Sequence, residues 1–110
     1  MKTVNIPIFQ TKLHVYKDDE RNKFEKRYGV MPDEWYGCQN GDGVFIGNNT
    51  KQDKIGTCYH EATHFVDWLL EHRLGVELDG PLWGHTELRA YMVQWVGDQI
   101  RRYCCDEDNS

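Results

Sequence analysis

The stretch that decides the fold is YHEATHFVDWLL, residues 59–70 of the 110-residue chain. At 3.6 residues per turn, His60 and His64 project from one side of a helix, in the same narrow stripe as Asp67 and Glu71. Most of the other positions in this stretch are apolar. The pattern predicts a helix that is buried on nearly all sides and is polar only along a cleft.

The segments on either side of this helix predict strands, turns and two further helices. Before it we expect a strand over Thr3–Phe9 that Lys12–Tyr16 extends or pairs with, a helix from Asp18 to about Tyr28, and strands over Glu34–Gln39 and Val44–Gly47 around an Asn-Gly-Asp-Gly turn. The motif helix is expected from about Asp53 to Leu74, and a last helix from Leu82 or Thr86 to Tyr103. This order predicts an α+β fold in a single domain, residues 1–105, followed by an acidic tail, residues 106–110.

Composition excludes several classes of protein. Thirteen Lys and Arg against 18 Asp and Glu leave a net charge of −5, which argues against binding to a nucleic-acid backbone. No apolar run approaches the roughly 20 residues that span a bilayer, and the N-terminus lacks the apolar stretch of a signal peptide. The four cysteines include the adjacent pair Cys104 and Cys105 and do not resemble a disulfide framework. We therefore expect a cytoplasmic protein with reduced thiols and with neither a nucleic-acid nor a membrane partner.

The motif His60-Glu61-Ala62-Thr63-His64 has the form H-E-x-x-H and predicts a zinc site. Histidines four residues apart on a helix can share one metal ion, here Zn²⁺. Glu61 lies roughly 100° away round the helix, where it can act on a water molecule at that metal. Such a water, with its pKa lowered to about 7 and a carboxylate base beside it, is a hydrolytic nucleophile.

A catalytic zinc ion needs a third protein ligand and an open position, and the next helix is expected to supply that ligand. Glu87 is the favoured candidate because it shares a polar stripe with Tyr91, Gln94 and Asp98. His85 is the alternative, since imidazole is an equally good ligand.

His60, Glu61 and His64, followed by Glu87 in Glu-Leu-Arg-Ala-Tyr, resemble the zincin metallopeptidases of the glutamate-ligand, or gluzincin, type. The chain is similar in particular to minimal zincin-like proteins of bacteria and phages, which implies a minimal zincin-like α+β fold. The resemblance implies His60, His64 and Glu87 as zinc ligands and Glu61 as general base. It also implies that the strand Gly43–Gly47 pairs with an extended peptide substrate. The residues of that strand expected to contact substrate are Val44, Phe45 and Ile46.

Two related families differ in the motif. A metzincin would continue as H-E-x-x-H-x-x-G-x-x-H, but Asp67 stands where the motif has its glycine and Leu70 where it has its third histidine. The SprT-like proteases resemble the chain only in part, because their third histidine lies between two glycines and here Gly84-His85-Thr86 matches half of that pattern. That partial match keeps His85 as a candidate ligand.

Other polar residues have candidate supporting roles. Asp67 or Asp98 could accept a hydrogen bond from the outer N–H of a ligand histidine, although Asp67 is equally well explained as a surface neighbour of Glu71. Tyr91, His85 and His72 are candidates for stabilising the oxyanion, and each is also well explained as a structural residue.

Two functions therefore follow from the sequence, beside a weaker third in which the motif is accidental and the chain is an acidic interaction module. The first is a zinc metallopeptidase that hydrolyses peptide or protein substrates through a zinc-activated water, with Glu61 as general base. The second is a non-catalytic protein of zincin shape that binds zinc or a partner, for example a phage-encoded protein acting on a partner in the host cytoplasm. A closed four-ligand zinc site would favour the second, because it leaves no position for water.

Overall fold

The computed structural model describes residues 1–6, 10–48, 50–74 and 86–106. Within these residues the chain forms an α+β fold, as predicted, with a four-stranded mixed sheet and three α-helices. The elements in chain order are β1 (Lys2–Ile6), β2 (Thr11–Lys17), α1 (Arg21–Tyr28), β3 (Gly37–Asn40), β4 (Gly43–Ile46), α2 (Lys51–Leu74) and α3 (Thr86–Arg101). A short 3-10 turn, Asp18–Glu20, precedes α1, and a π-helical segment, Arg102–Asp106, follows α3.

The order of strands across the sheet is β1-β2-β4-β3. Two antiparallel hairpins, β1–β2 and β3–β4, are joined by the parallel pairing of β2 with β4. Among the described strands, β4 is therefore central and β3 lies at an edge. This arrangement fits the burial of the strands, because all four residues of β4 are buried and β3 is only partly buried.

Local sequence accounts for several of the element boundaries. Gly29 has a φ of 111° and ends α1, and its N–H donates to the carbonyl of Glu25. Gly41 has a φ of 55° in the turn between β3 and β4, where the sequence predicted a hairpin. The motif helix begins at Lys51, slightly earlier than predicted. The Thr50 hydroxyl accepts a hydrogen bond from the Asp53 N–H at 3.3 Å, as an N-cap does.

The two faces of the sheet are covered by different helices. α1 contributes Phe24 to a small aromatic cluster with Tyr16 and Phe45. The opposite face carries a larger core that the sheet shares with α2 and α3. Its members are Val4, Ile6, Leu13, Val15, Val44, Ile46, Cys58, Ala62, Phe65, Val66, Leu69, Leu70, Val96, Ile100 and Cys104. The apolar sides of the motif helix are thus buried as predicted, and His60 and His64 remain exposed.

Three pairs of residues fix how α2 and α3 lie against each other. Arg89 binds both carboxylate oxygens of Asp67, at 2.8 and 3.2 Å. The Tyr59 hydroxyl donates a hydrogen bond to Asp98, and the Tyr59 ring lies directly over Gly97. As the residue number rises along α2, the number of its partner on α3 falls by the same amount, so the two helices run antiparallel in a single register.

No helix of the described part of the chain combines the length and apolar character that crossing a membrane requires.

Gly97 and Gly56 provide a test of this packing, because both are helical glycines in different surroundings. A Cβ at Gly97 would overlap the Tyr59 ring, whereas a Cβ at Gly56 would meet nothing within 4 Å. We expect Gly97→Ala to lower the free energy of unfolding by about 1–3 kcal/mol, through overpacking. Gly56→Ala should raise it by up to about 1 kcal/mol, because alanine favours the helix. Urea unfolding measures both, and a stabilised Gly97→Ala variant would contradict the described contact between α2 and α3.

Candidate metal site and cleft

Helix α2 places the three motif residues on two adjoining sides. His60 and His64 lie on the exposed stripe that the sequence predicted, while Glu61 is only 6% exposed. One residue rotates a helix by about 100°, so Glu61 turns away from the histidines and towards β3. The two imidazoles therefore face solvent, and the carboxylate lies largely buried beside β3.

The two imidazoles point their Nε2 atoms towards each other. The Nε2 atoms of His60 and His64 are 3.2 Å apart, and the rings are nearly perpendicular with centroids 4.7 Å apart. Two nitrogens that each lie about 2.0–2.1 Å from a tetrahedral zinc ion are separated by about 3.4 Å. Donor type and spacing therefore fit two of the ligands of a zinc ion. Without a metal, the same contact is a hydrogen bond in which one Nε2–H donates to the other ring.

Glu61 is buried because β3 approaches α2 closely at Gly37. A Cβ built on Gly37 would lie 2.5 Å from the Thr57 Cγ2 and 2.9 Å from the Glu61 Oε2. Burial raises the pKa of the Glu61 carboxyl, and the neighbouring His60 and His64 offset part of that rise. The absence of a side chain at position 37 thus allows a strand to cover this carboxylate.

Glu61 and His64 line one side of an open cleft of about 500 Å³. The other side is formed by residues 34–39, that is, by β3 and the chain leading into it. Two large aromatic side chains project there, since Trp35 is 47% exposed and Tyr36 is 51% exposed. The cleft therefore combines a carboxylate, an imidazole, a sheet edge and an aromatic rim.

The prediction that Val44, Phe45 and Ile46 pair with substrate is wrong. All three are fully buried, and β4 already pairs with β2 on one side and with β3 on the other. No free edge remains on β4 for strand addition. Among the described residues, the strand beside the motif that has an unpaired edge is β3.

The sequence had allowed Trp35 as core or cleft wall, but the part of the wall formed by Tyr36, Gly37 and Cys38 was missed although a signal for it was present. A continuous apolar run such as the Val-Phe-Ile of β4 is typical of a strand buried on both faces. Glu34–Gln39 has no such run, because a glycine interrupts it and polar residues stand at both of its ends, which fits an edge strand better. The difference between these two segments indicates that β3, and not β4, is the edge strand.

The described residues do not bring a third ligand to the histidines. In residues 1–6, 10–48, 50–74 and 86–106, no three His, Cys, Asp or Glu side chains group closely enough to hold a metal ion. Glu87 is exposed at the start of α3, and the helix register places it level with Leu69 and Leu70. That level lies about 8 Å along α2 beyond His64. His85, the alternative ligand, falls outside the described residues.

The two carboxylates predicted to support a ligand histidine have other partners. Asp67 is held by the Arg89 guanidinium, and Asp98 accepts the hydrogen bond from Tyr59. Both bonds join α2 to α3. In this structure Asp67 and Asp98 therefore fix the packing of the two helices.

Of the three candidates for oxyanion stabilisation, Tyr91 and His72 do not line the cleft, and His85 lies outside the described residues. Tyr91 is 72% exposed and lines a separate shallow pocket with Glu87, Ala90 and Gln94. His72 stacks on Trp68 and lies 3.0 Å from the Trp68 carbonyl through its Nδ1. Of the described histidines, His64 is the one that lines the cleft.

We expect the purified protein to bind about one zinc ion per chain and the His60→Ala variant to lose it, because that variant removes one of the two converging Nε2 atoms. His72→Ala is the matched control, since His72 lies on the same helix and is also exposed. Metal content after gel filtration measures both.

Equal zinc in the parent and in His60→Ala would contradict the site. If Glu87 is the third ligand, Glu87→Gln should weaken zinc binding as well. If His85→Asn weakens it and Glu87→Gln does not, the alternative ligand is correct.

Comparisons with known proteins assign no family to this site. No family model, no curated protein and no solved structure matches the chain. The chemistry of the site therefore rests on the converging imidazoles, the buried carboxylate and the cleft that Glu61 and His64 line.

Proposed function

We propose that this protein is a zinc-dependent peptidase with a minimal zincin-like fold. The observation that carries the proposal is the placement of the motif, since His60 and His64 converge at a spacing that suits zinc while Glu61 and His64 line one cleft. A mixed sheet with an edge strand next to the motif helix is consistent with the zincin-like resemblance. We also propose that the protein acts in the cytoplasm.

His60 and His64 are the proposed zinc ligands. The proposed third ligand is Glu87, which would have to approach from beyond the level of His64, or His85 as its alternative. When bound there, zinc supplies Lewis-acid chemistry. The Glu61 carboxylate then accepts a proton from the attacking water and returns it to the leaving nitrogen. Its burial against Gly37 favours this role, because a carboxyl group with a raised pKa transfers protons more effectively near neutral pH.

The proposed substrate is an extended peptide that pairs with β3. An edge strand offers backbone N–H and C=O groups for strand addition, and β3 is the edge strand that lines the cleft. A peptide there would pass Trp35 and Tyr36 and approach Glu61. The aromatic rim would contact its side chains, and the cleft would hold the bond to be cleaved.

A second candidate function is a non-catalytic protein of the same shape that binds zinc or a partner protein. What favours it is that the described residues supply only two converging ligands. If the rest of the chain closes the site with two more protein ligands, no position is left for water and the site is structural.

Glu61→Gln separates the two functions. The substitution keeps the size of the side chain but removes its ability to accept a proton. For a peptidase we expect zinc content to be unchanged and hydrolysis of a casein or mixed-peptide substrate to fall by at least about 100-fold, which is the usual size of a general-base contribution.

Two outcomes of these measurements, zinc content and hydrolysis, would contradict the peptidase function. Cleavage by Glu61→Gln at the parental rate would show that Glu61 is not the base. A parent protein that binds zinc but cleaves no substrate would favour the non-catalytic function.

Trp35→Ala tests the proposed binding edge. Removing an aromatic contact worth about 0.5–1.5 kcal/mol should raise KM for an extended peptide about two- to tenfold and leave kcat nearly unchanged. Trp95→Ala is the matched control, because Trp95 is 43% exposed on α3 and does not line the cleft. Equal effects of the two variants on KM would contradict substrate binding along β3.

A further inference from the structure

Three of the four thiols lie together, away from the cleft. Cys58 belongs to α2, whereas Cys104 and Cys105 belong to the π-helical segment Arg102–Asp106. The Sγ atoms of Cys58 and Cys105 are 3.9 Å apart, and Cys104 also lies beside the Cys58 thiol. None of the three forms a disulfide in the structure. The fourth cysteine, Cys38, lies on β3 in the wall of the cleft.

Exposure distinguishes the members of this cluster. Cys58 is fully buried and Cys104 is 1% exposed, while Cys105 is partly exposed. A reagent from solvent therefore meets Cys105 first. Adjacent cysteines pair only with strain, so the neighbour Cys104 is a poor partner for Cys105. Cys58 is the other thiol within reach of Cys105, and it comes from another element of the fold.

We propose that Cys105 and Cys58 form a thiol–disulfide exchange site that reacts with low-molecular-weight disulfides of the glutathione type. The Cys105 thiolate attacks one sulfur of the small disulfide, which breaks its S–S bond and releases one small thiol. Cys58 then attacks the Cys105 sulfur of the mixed disulfide and releases the second small thiol. Two protein thiols are oxidised by two electrons, one small disulfide is reduced to two thiols, and those thiols carry away both protons.

The geometry gives the bond a structural consequence. A link between residues 58 and 105 would fasten the C-terminal segment to α2 two residues before His60. That segment is already held in place, because the Tyr103 hydroxyl donates to Glu20 at 2.7 Å. A cross-link between segments that already pack together imposes little strain on the folded state and mainly restricts the unfolded chain. The oxidised protein should therefore be the more stable form.

The test is incubation of the protein with glutathione disulfide, followed by intact-mass analysis, peptide mapping and thermal unfolding. We expect the loss of two hydrogens in mass, a cross-linked peptide that joins Cys58 to Cys105, and a rise in Tm of at least about 5 °C that dithiothreitol reverses. None of these readouts depends on zinc or on peptide cleavage, so they are independent of the proposed function.

Variants assign the two steps. Cys58→Ala should stop at a mixed disulfide and retain one glutathione on Cys105, whereas Cys105→Ser should form no disulfide in the cluster. Cys38→Ser and Cys104→Ser are the matched controls and should cross-link as the parent does. A cross-link to Cys104 instead, glutathione retained by the parent protein, or no change in Tm would each overturn the proposal.

Discussion

The close approach of β3 to α2 at Gly37 is the constraint on which the cleft depends. A strand that lacks a side chain at this position lies against the motif helix and removes the Glu61 carboxylate from solvent. The same approach brings Trp35 and Tyr36 to the rim of the cleft. A larger residue at position 37 would separate strand and helix, expose Glu61 and open the cleft wall. One backbone contact thus links the sheet edge to the chemistry of the site.

Much of the fold could be predicted because its signals are local. The spacing of His60 and His64, the apolar sides of α2 and the stop at Gly29 each depend on residues within a turn or two. The order of the strands could not be predicted in this way, since the parallel pairing of β2 with β4 joins segments about thirty residues apart. The error about Val44–Ile46 has that origin. Local alternation shows that a strand exists but not which neighbours it has.

The candidate site shows the same division. Helix geometry alone predicts that His60 and His64 converge, and the 3.2 Å separation of their Nε2 atoms agrees with it. Asp67 and Asp98 depend on the register between two helices, and both form bonds that the sequence did not predict. These bonds hold α3 at the level where Glu87 lies beyond His64. The polar stripe of α3 therefore contributes to helix packing. It contributes to metal binding as well only if the third ligand is Glu87, which lies on α3, and not His85.

The parallel contact between β2 and β4 also bears on how the molecule assembles. Each hairpin joins strands that are close in sequence. The pairing of β2 with β4 joins segments about thirty residues apart, and closing that longer loop costs more entropy. Buried side chains of both strands, Val15 and Val44 among them, belong to the core that α2 completes. Helix α2, which carries the histidines, therefore packs against strands of both hairpins. Neither hairpin alone provides the surface that holds α2 in place, so the site forms only when the two hairpins have paired.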